Sequence, residues 1–466
     1  MQKSEVKNQK SKVVALGRRG QSTVEIIIAL MILTVAMASA IMVIFGGQSL
    51  SVDSAESSIA LRLAERDLES ISAQARYDFN NLASSTTAQN EFTRNVIVQT
   101  VSANTKQVTA RVVWSTDPLR TQAVELVTLV SNWQGVQQTG GDTGGSPPSG
   151  NWQNPRTLGT VDLGSGNQAT DLDVKSKVVY MTATAASANK PDFFIINATD
   201  GQNPFVVSSI NTGNGLNSVD VAGNYAYVAG VDDSKEFQVI DVSNVSAPSV
   251  VATLNLAGNA DALTVFYFNG YAYIGLASGA AQEFQIINVS NPLSPSLVSG
   301  LSSAGGEIND IYVFNKRAYL GTEDGTRGMV VIDVASSTAP SVLGSMNAGG
   351  EHVYSVYVQQ SESAVTVGGK EKLFMANASN SASITTLGSG TISDKVRDIV
   401  TVNPYAFLGT EDSNKEFQVW NVSNPVTPTL WSSFNFPQVA TGVDYEDNIV
   451  YVSVRSNDAL RIITSQ

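Results

Sequence analysis

The spacing of apolar and polar positions changes twice along the chain, and each change marks a different kind of element. Residues 26–45 form an unbroken apolar run. Apolar residues then recur three or four positions apart between charged ones, which is the period of an amphipathic helix; they are Leu61, Ala64, Leu68, Ile71 and Ala75. From residue 95 onward, short runs alternate apolar with polar residues, as strands do. The pattern predicts a helical N-terminal part followed by β structure.

The residues just before the apolar run carry a recognisable motif. Gly20 follows two arginines and is followed by Gln21, and Glu25 stands at the edge of the run. This stretch resembles the class III signal of type IV prepilins and pseudopilins. The resemblance implies a prepilin peptidase that cuts after Gly20, N-methylation of Gln21, and pairing of Glu25 with the terminal amine of a neighbouring pilin subunit. Gln21 stands where the family usually has phenylalanine, which puts its processing and methylation in doubt.

The length of the apolar run predicts a membrane-spanning helix. At ~1.5 Å per residue, residues 26–45 reach ~30 Å, the thickness of a bilayer core. The expected localisation is the cytoplasmic membrane, single-pass with the N-terminus in the cytoplasm, followed by the cell surface or an extracellular bacterial pilus. Two alternatives remain: a plain anchor held by the preceding basic residues, or a secretory signal cut after Ala38 or Ala40.

The chain divides by composition into five segments. We expect a leader at 1–20, a long pilin helix at 21–79, and a small β-sheet pilin head at 80–133 with strands near 95–101, 107–114 and 124–133. Residues 134–151 are rich in Gly, Ser, Thr and Gln and contain Pro147 and Pro148, as a flexible linker does. The helix and head resemble those of minor pilins.

The remaining part, residues 152–466, is internally repetitive. The run FQVIDVSN at 237–244 recurs as FQIINVSN at 284–291, MVVIDVAS at 329–336 and FQVWNVSN at 417–424, with weaker copies at 193–200, 373–380 and 460–466. Seven copies at a period of about 45 residues predict a seven-bladed β-propeller. The last copy lacks a fourth strand, and residues 155–163 resemble that missing strand. The repeat resembles the LVIVD family. The expected fold is therefore a long N-terminal α-helix with a small α+β pilin head, followed by an all-β seven-bladed propeller.

Composition excludes several functional classes. The formal net charge is −13 and the chain has 0 Cys and 1 His. An acidic chain disfavours general nucleic-acid binding, because phosphate contacts need clustered Lys and Arg. Without cysteine, neither a disulfide framework nor a thiol nucleophile is available. His352, the only histidine, is expected to be an ordinary loop residue.

Two groups of acidic residues are candidate sites. The first strand of a blade lines the channel, so carboxylates in shared registers there could bind a ligand; they are Asp171, Asp173, Asp220, Asp310 and Asp398. Acidic turns recur between second and third strands and are weak Ca²⁺ candidates, since Ca²⁺ prefers oxygen ligands; they contain Asp232, Asp233, Glu323, Asp324, Glu411 and Asp412. Channel-mouth solvation and ordinary turn formation are the competing interpretations. Asn197, Asn244, Asn288, Asn377 and Asn421 begin N-glycosylation sequons, and turn formation is the alternative for them too.

Three functions fit the sequence. The first is a minor pilin-like surface protein that displays the propeller for adhesion or recognition; its partners would be other pilin subunits, the prepilin peptidase and an unknown surface ligand, with no cofactor and no catalytic residue. The second is a surface-tethered propeller hydrolase with a carboxylate or Ca²⁺ site in its channel. The third is a pseudopilin of type II secretion. The first is favoured, and minor over major, because a propeller is too wide to pack beside helices ~8–10 Å apart.

Overall fold

The chain forms two compact units, residues Met1–Val136 and Gln137–Gln466. The computed structural model describes Met31 and residues 53–79, 82–89, 91–102, 105–117, 120–131, 146–184, 189–256, 258, 260–302, 306–359 and 361–466. Gly20, Gln21 and Glu25, together with nearly all of the apolar run, lie outside them.

The first unit packs one helix on one sheet. Helix α1 (Asp53–Asp78) lies against an antiparallel sheet in the order β1 (Ser85–Gln89), β2 (Phe92–Ser102), β3 (Thr105–Asp117) and β4 (Arg120–Ser131). Ala60 and Ala64 are fully buried and pack with Trp114 on the sheet. Asp67, which the pattern placed on the solvent face, is only 7% exposed and is ion-paired with Arg94.

The expected long pilin helix with its head is corrected by this unit. The described chain is nearly all β, and its one helix has 26 residues rather than the span 21–79. The sheet has four strands rather than three. The helical period at 61–75 indicates that one face of a helix packs against other residues over that stretch. The apolar run before it has a different pattern and does not extend this period. The expected continuity of the two rests on the helical spacing at 61–75 and on the resemblance to pilins, in which one long helix carries the head.

The expected single-pass localisation is corrected as well. Within the part of the chain that the structure describes, no helix combines the length and the hydropathy needed to cross a membrane. Helix α1 is amphipathic, with charged residues at Glu65, Arg66 and Glu69.

The second unit contains seven four-stranded antiparallel sheets, here called blades 1 to 7. In each blade strand A is innermost and strand D outermost. The blades are as follows: β6 (Gln168–Lys175), β7 (Val178–Thr184), β8 (Phe193–Asn197), β9 (Phe205–Ile210); β10 (Leu216–Ala222), β11 (Tyr225–Gly230), β12 (Phe237–Asp241), β13 (Ser249–Leu254); β14 (Ala262–Phe268), β15 (Tyr271–Leu276), β16 (Phe284–Asn288), β17 (Ser296–Leu301); β18 (Ile308–Phe314), β19 (Arg317–Thr322), β20 (Met329–Asp333), β21 (Ser341–Met346); β22 (Val353–Val358), β23 (Val365–Gly369), β24 (Lys372–Asn377), β25 (Thr385–Thr391); β26 (Val396–Val402), β27 (Tyr405–Thr410), β28 (Phe417–Asn421), β29 (Thr429–Phe434); β30 (Ala440–Glu446), β31 (Ile449–Val454), β32 (Asp458–Thr464), β5 (Arg156–Asp162).

Blade 7 closes the ring, as the sequence predicts. Its strand D is β5 from the start of the unit, paired antiparallel with β32 from the end. The loop before β5 is hydrogen-bonded to the residues after β32, because Asn151 donates its N–H to the carbonyl of Gln466 at 2.7 Å. The fully buried Trp152 packs on Phe407 with ring centroids 4.7 Å apart. Closure removes the open sheet edges that an incomplete array would expose.

The repeated residues have two structural tasks. Aromatic residues of strands B and C stack in the same way in blades 2, 3 and 6, with centroids 6.2–6.3 Å apart. The Asp or Asn that ends strand C accepts the backbone N–H two residues later at 2.8–3.0 Å in blades 1 to 6. This Asx turn starts the loop to strand D, so the repeat motif encodes a strand followed by a turn.

A β-bulge recurs in the outer strand of every blade. The residue just after it is glycine, serine or alanine because the C–D loop of the next blade approaches closely there. Ser208 and Ser299 each donate their hydroxyl to a carbonyl of that loop at 2.6 Å. At Gly344 a Cβ would meet the carbonyl oxygen of Ser381. Outer strands therefore contact neighbouring blades through small residues.

Candidate binding site on the propeller

The predicted channel residues do converge on one cavity. The inner strands enclose a cavity of about 100 Å³, and all five predicted carboxylates line it. Asp171, Asp310 and Asp398 share one register on blades 1, 4 and 6, where blades 2 and 5 carry Ser218 and Ser355. Asp444, which the sequence analysis did not name, lies in the register of Asp173 and Asp220 and also lines the cavity.

These carboxylates form hydrogen bonds that stabilise the fold. Asp310 Oδ1 accepts the N–H of Ile311 at 2.7 Å, and Oδ2 accepts the N–H of Val356 on the next blade at 2.8 Å. The same bonding recurs elsewhere around the ring: Asp171 with Leu172 and Val219, Asp398 with Ile399 and Val443, and Asp444 with Tyr445 and Val174. Asp173 and Asp220 accept the N–H groups of Val221 and Tyr267. The carboxylates clamp neighbouring inner strands together.

Burial in the channel also changes the acidity of three of them. Desolvation raises the pKa of Asp171 to about 7 and that of Asp310 to about 6, although the backbone N–H groups oppose the rise. Desolvation raises the pKa of Asp398 as well, and the charges of Asp171 and Asp310 add to it. Burial and the proximity of these carboxyl groups in one small cavity therefore raise the pKa of all three.

The acidic turns are engaged by nearby protein groups. Asp324 accepts hydrogen bonds from the hydroxyl of Thr326 at 2.6 Å and from Arg327 Nε at 2.8 Å. Burial alone would raise the pKa of Asp324, but these hydrogen bonds outweigh it and lower the pKa to about 2. Hydrogen bonds from Ser234 lower the pKa of Asp232. Across the described ranges, no three His, Asp or Glu side chains are arranged to hold a metal ion.

The sequon asparagines take part in turns. Asn197, Asn288, Asn377 and Asn421 accept the Asx-turn N–H described above, and Asn244 accepts the N–H of Ser246 at 3.2 Å. Turn formation accounts for Asn and Asp alternating at the end of strand C.

A different site emerges when the seven blades are compared position by position. The residue just after strand B donates its N–H to the carbonyl of the residue just before strand A at 2.9–3.3 Å in blades 2, 3, 4, 6 and 7. In blades 2 and 3 this residue is Val231 or Ala277. In blades 4, 6 and 7 it is Glu323, Glu411 or Arg455. The backbone requirement is the same in each blade, so it does not explain the change from apolar to charged side chains.

A second register also differs between blades. Thr170, Asn217, Asn309 and Thr441 each donate a side-chain hydrogen bond to a backbone carbonyl near the start of the next blade's inner strand. Blade 3 has the apolar Leu263 in this register. Blades 5 and 6 place Tyr354 and Arg397 in this register instead. Tyr354 is buried, and Arg397 turns to Glu411 within its own blade, with Nε 2.6 Å from Oε1.

These departures define a charged sector on the face where the inner strands begin: Glu307, Glu323, His352, Tyr354, Lys395, Arg397, Glu411 and Arg455. His352 Nδ1 lies 3.6 Å from Glu323, and Lys395 Nζ lies 4.7 Å from the ring centre of Tyr354. Desolvation, reinforced by the charge of Glu323, raises the pKa of Glu307. Desolvation and the surrounding carboxylates raise the pKa of Tyr354 to about 12. The sector brings cations and carboxylates together around one buried ring.

Most of the sector escapes motif searches. Only Glu323 and Glu411 were singled out, as Ca²⁺ candidates, and His352 was expected to be an ordinary loop residue. The remaining sector residues can be found by aligning the seven blades with one another. Residues shared by most blades are those that the fold requires, and residues that differ from this pattern are candidates for a function.

The structure thus defines a β-propeller. Residues 216–255 and 257–301, which are blades 2 and 3 with their connections, match the LVIVD repeat family model. The chain carries LVIVD repeats, as the sequence predicts.

Solved structures agree on the fold. A chain of the mitotic checkpoint complex aligns with a TM-score of 0.53 at 14% identity, covering 69% of this chain and 96% of that one. The WD40 β-propeller domain of Doa1 aligns with a TM-score of 0.52 at 14% identity, covering 67% and 97%. At this identity the likeness concerns the fold alone. No curated protein matches the chain.

Proposed function

We propose that the chain is a recognition protein whose propeller binds a partner polypeptide through the charged sector. The observation that carries this proposal is the departure of blades 4 to 7 from the residues that the repeat uses elsewhere. The same backbone hydrogen bond forms with Val231, Ala277 or Arg455 at this register, so a ligand is the best explanation for the charged residues. The partner should present both signs of charge, because the sector contains both cations and carboxylates.

A binding role also fits the state of the channel. Each carboxylate predicted to line the channel accepts hydrogen bonds from backbone N–H groups that hold blades together. These bonds give each carboxylate a structural role that accounts for its presence without a substrate. We therefore place the function on the loop face rather than in the channel and propose no enzymatic activity.

The test uses the full-length protein and an array of synthetic peptides that are acidic, basic, mixed in charge or neutral. Lys395→Gln removes one sector cation, and Lys190→Gln removes an exposed cation from the B–C loop of blade 1 as the matched control. We expect mixed-charge peptides to bind wild type best and salt to weaken them. Lys395→Gln should weaken binding about fivefold, as ~1 kcal/mol implies.

Two results would contradict the proposal. One is a wild-type protein that binds no charged peptide better than the neutral ones. The other is an equal loss of binding in Lys395→Gln and Lys190→Gln, which would assign the effect to net charge.

How the propeller is displayed is a second part of the proposal. The motif from Gly20 to Glu25 supports processing by a prepilin-type peptidase and assembly with pilin-like subunits. N-terminal sequencing of the mature chain, with and without that peptidase, is the direct measurement. A start at Gln21 that depends on the enzyme supports this route, and a start elsewhere removes it.

A further inference from the structure

The guanidinium group of Arg455 stands out within the charged sector. Its backbone N–H donates to the carbonyl of Val439 at 2.9 Å, which fixes it at the register of Glu323 and Glu411 in other blades. Those glutamates each face a cationic or imidazole side chain. Among the residues that the structure describes, the Arg455 side chain has no hydrogen bond or ion pair.

The surroundings of Arg455 are short of negative charge. The nearby carboxylate is Glu411, and Arg397 of blade 6 already forms an ion pair with it. The charge of Glu411 is thus already offset by Arg397. Partial burial of Arg455 lowers its pKa, and the charge of Arg397 lowers it further, which outweighs the attraction of Glu411. A bound anion would relieve this repulsion.

We propose that Arg455, with Arg397 beside it, is a binding site for a carboxylate group of the partner polypeptide. This inference rests on the proposed function and names the chemistry that the site recognises. A planar guanidinium presents donors in a fork that matches the two oxygens of a carboxylate. The net charge of −13 opposes polyanions such as nucleic acids, whereas a single carboxylate experiences mainly the local cations.

The test follows the reaction of individual arginines with phenylglyoxal in the full-length protein by peptide-mapping mass spectrometry. The probes are N-acetylglycine, which mimics a chain terminus, and N-acetylglutamic acid α-amide, which mimics an acidic side chain. N-Acetylglycinamide is the neutral control. The exposed Arg156 on β5 is an internal reference for general reactivity.

We expect Arg455 labelling to be half-suppressed at roughly millimolar carboxylate, the affinity range of a single small contact. At ten times that concentration, labelling should be roughly tenfold slower by mass action, with Arg156 unchanged. The probe that protects at the lower concentration identifies a terminus or a side chain as the source. Equal labelling with and without both carboxylates, or equal protection by N-acetylglycinamide, overturns the inference.

A second measurement does not depend on labelling. N-Acetylglycine should raise the Tm of wild type, whereas Arg455→Gln should lose this shift and Lys190→Gln should keep it. A shift that persists in Arg455→Gln contradicts the site. Peptide binding lost in Lys395→Gln without carboxylate protection refutes only this inference. Protection without any peptide binding refutes only the proposed function.

Discussion

Asp310 and Val356 are joined across a blade boundary. The carboxylate of Asp310 on strand A of blade 4 accepts the backbone N–H of Val356 on strand A of blade 5 at 2.8 Å, and the hydroxyl of Ser355 donates to the same oxygen at 3.0 Å. Because neighbouring blades have no backbone ladder between them, side chains of this kind fix their spacing near the axis. The cost is a carboxylate held deep in the molecule.

That cost predicts a pH-dependent effect of Asp310→Ser. Folding raises the pKa of this group to about 6, so its contribution to stability is full below about pH 3.8 and is lost as the pH rises through 6. Serine, which blades 2 and 5 use in this register, carries no charge. The variant should be less destabilised at pH 8 than at pH 5, by about 1.5 kcal/mol, because part of the contribution of Asp310 is already lost at pH 5. Urea unfolding of both proteins at the two pH values measures the difference.

Asp324→Ser is the matched control for this experiment. Folding lowers the pKa of Asp324 to about 2, so its contribution is present above about pH 3.8 and nearly constant between pH 5 and 8. Its effect on stability should be the same at both pH values. If Asp310→Ser behaves in the same way, burial does not govern the titration of the channel.

Trp152→Ala should destabilise the propeller strongly. The side chain is fully buried, packs on Phe407, and donates from Nε1 to Asn448 at 3.2 Å. A buried aromatic truncated to alanine costs about 3–5 kcal/mol. Trp152→Phe keeps the ring and loses the hydrogen bond, at a cost of about 1 kcal/mol. Denaturant midpoints compare the two, and equal losses would show that the hydrogen bond, not packing, matters.

Asp333→Ala should cost about 1 kcal/mol, whereas Asp333→Asn should be nearly neutral. The Asp333 carboxylate accepts the N–H of Ala335 at 2.8 Å to start the C–D loop. Asparagine performs this task in blades 1, 3, 5 and 6, so the amide oxygen suffices. Thermal unfolding of both variants is the check. A loss in Asp333→Asn equal to that in Asp333→Ala would mean that the charge is required.

In the first unit, Asp67→Ala should cost about 3 kcal/mol, because it leaves Arg94 partly buried without its partner. Glu125→Ala removes the exposed partner of Arg111, 3.9 Å away, and should cost less than about 1 kcal/mol. Circular dichroism during denaturation separates the outcomes. Similar losses would show that the Asp67 pair is as weak as a surface pair.

The sequence predicts the propeller well because the same strand and turn residues recur in seven copies. The number of copies gives the number of blades, and the Asp or Asn that ends strand C marks each turn. Ring closure also follows from counting strands, since the last copy lacks one. The long helix fails because 26–45 and 61–75 are two patterns and nothing in either reports continuity.

The candidate site is harder to predict for a physical reason. Asp310 and Asp398 have the composition of a ligand site, but whether a carboxylate faces a ligand or a backbone N–H depends on the spacing between blades. Arg455 carries no motif at all. Its meaning depends on the residues that other blades place at its register and on Arg397 already holding Glu411.

The closure at blade 7 has a mechanical consequence. Asn151 and Gln466 are hydrogen-bonded, so the propeller begins and ends at one point on its rim. Tension applied through the preceding chain would reach the ring first at β5, the strand that holds the circle shut without a covalent link to its neighbour. A load strong enough to pull β5 from β32 would open the ring at blade 7, far along the chain from the LVIVD-matched blades 2 and 3. The blade that closes the ring is therefore also the blade that should separate first under tension.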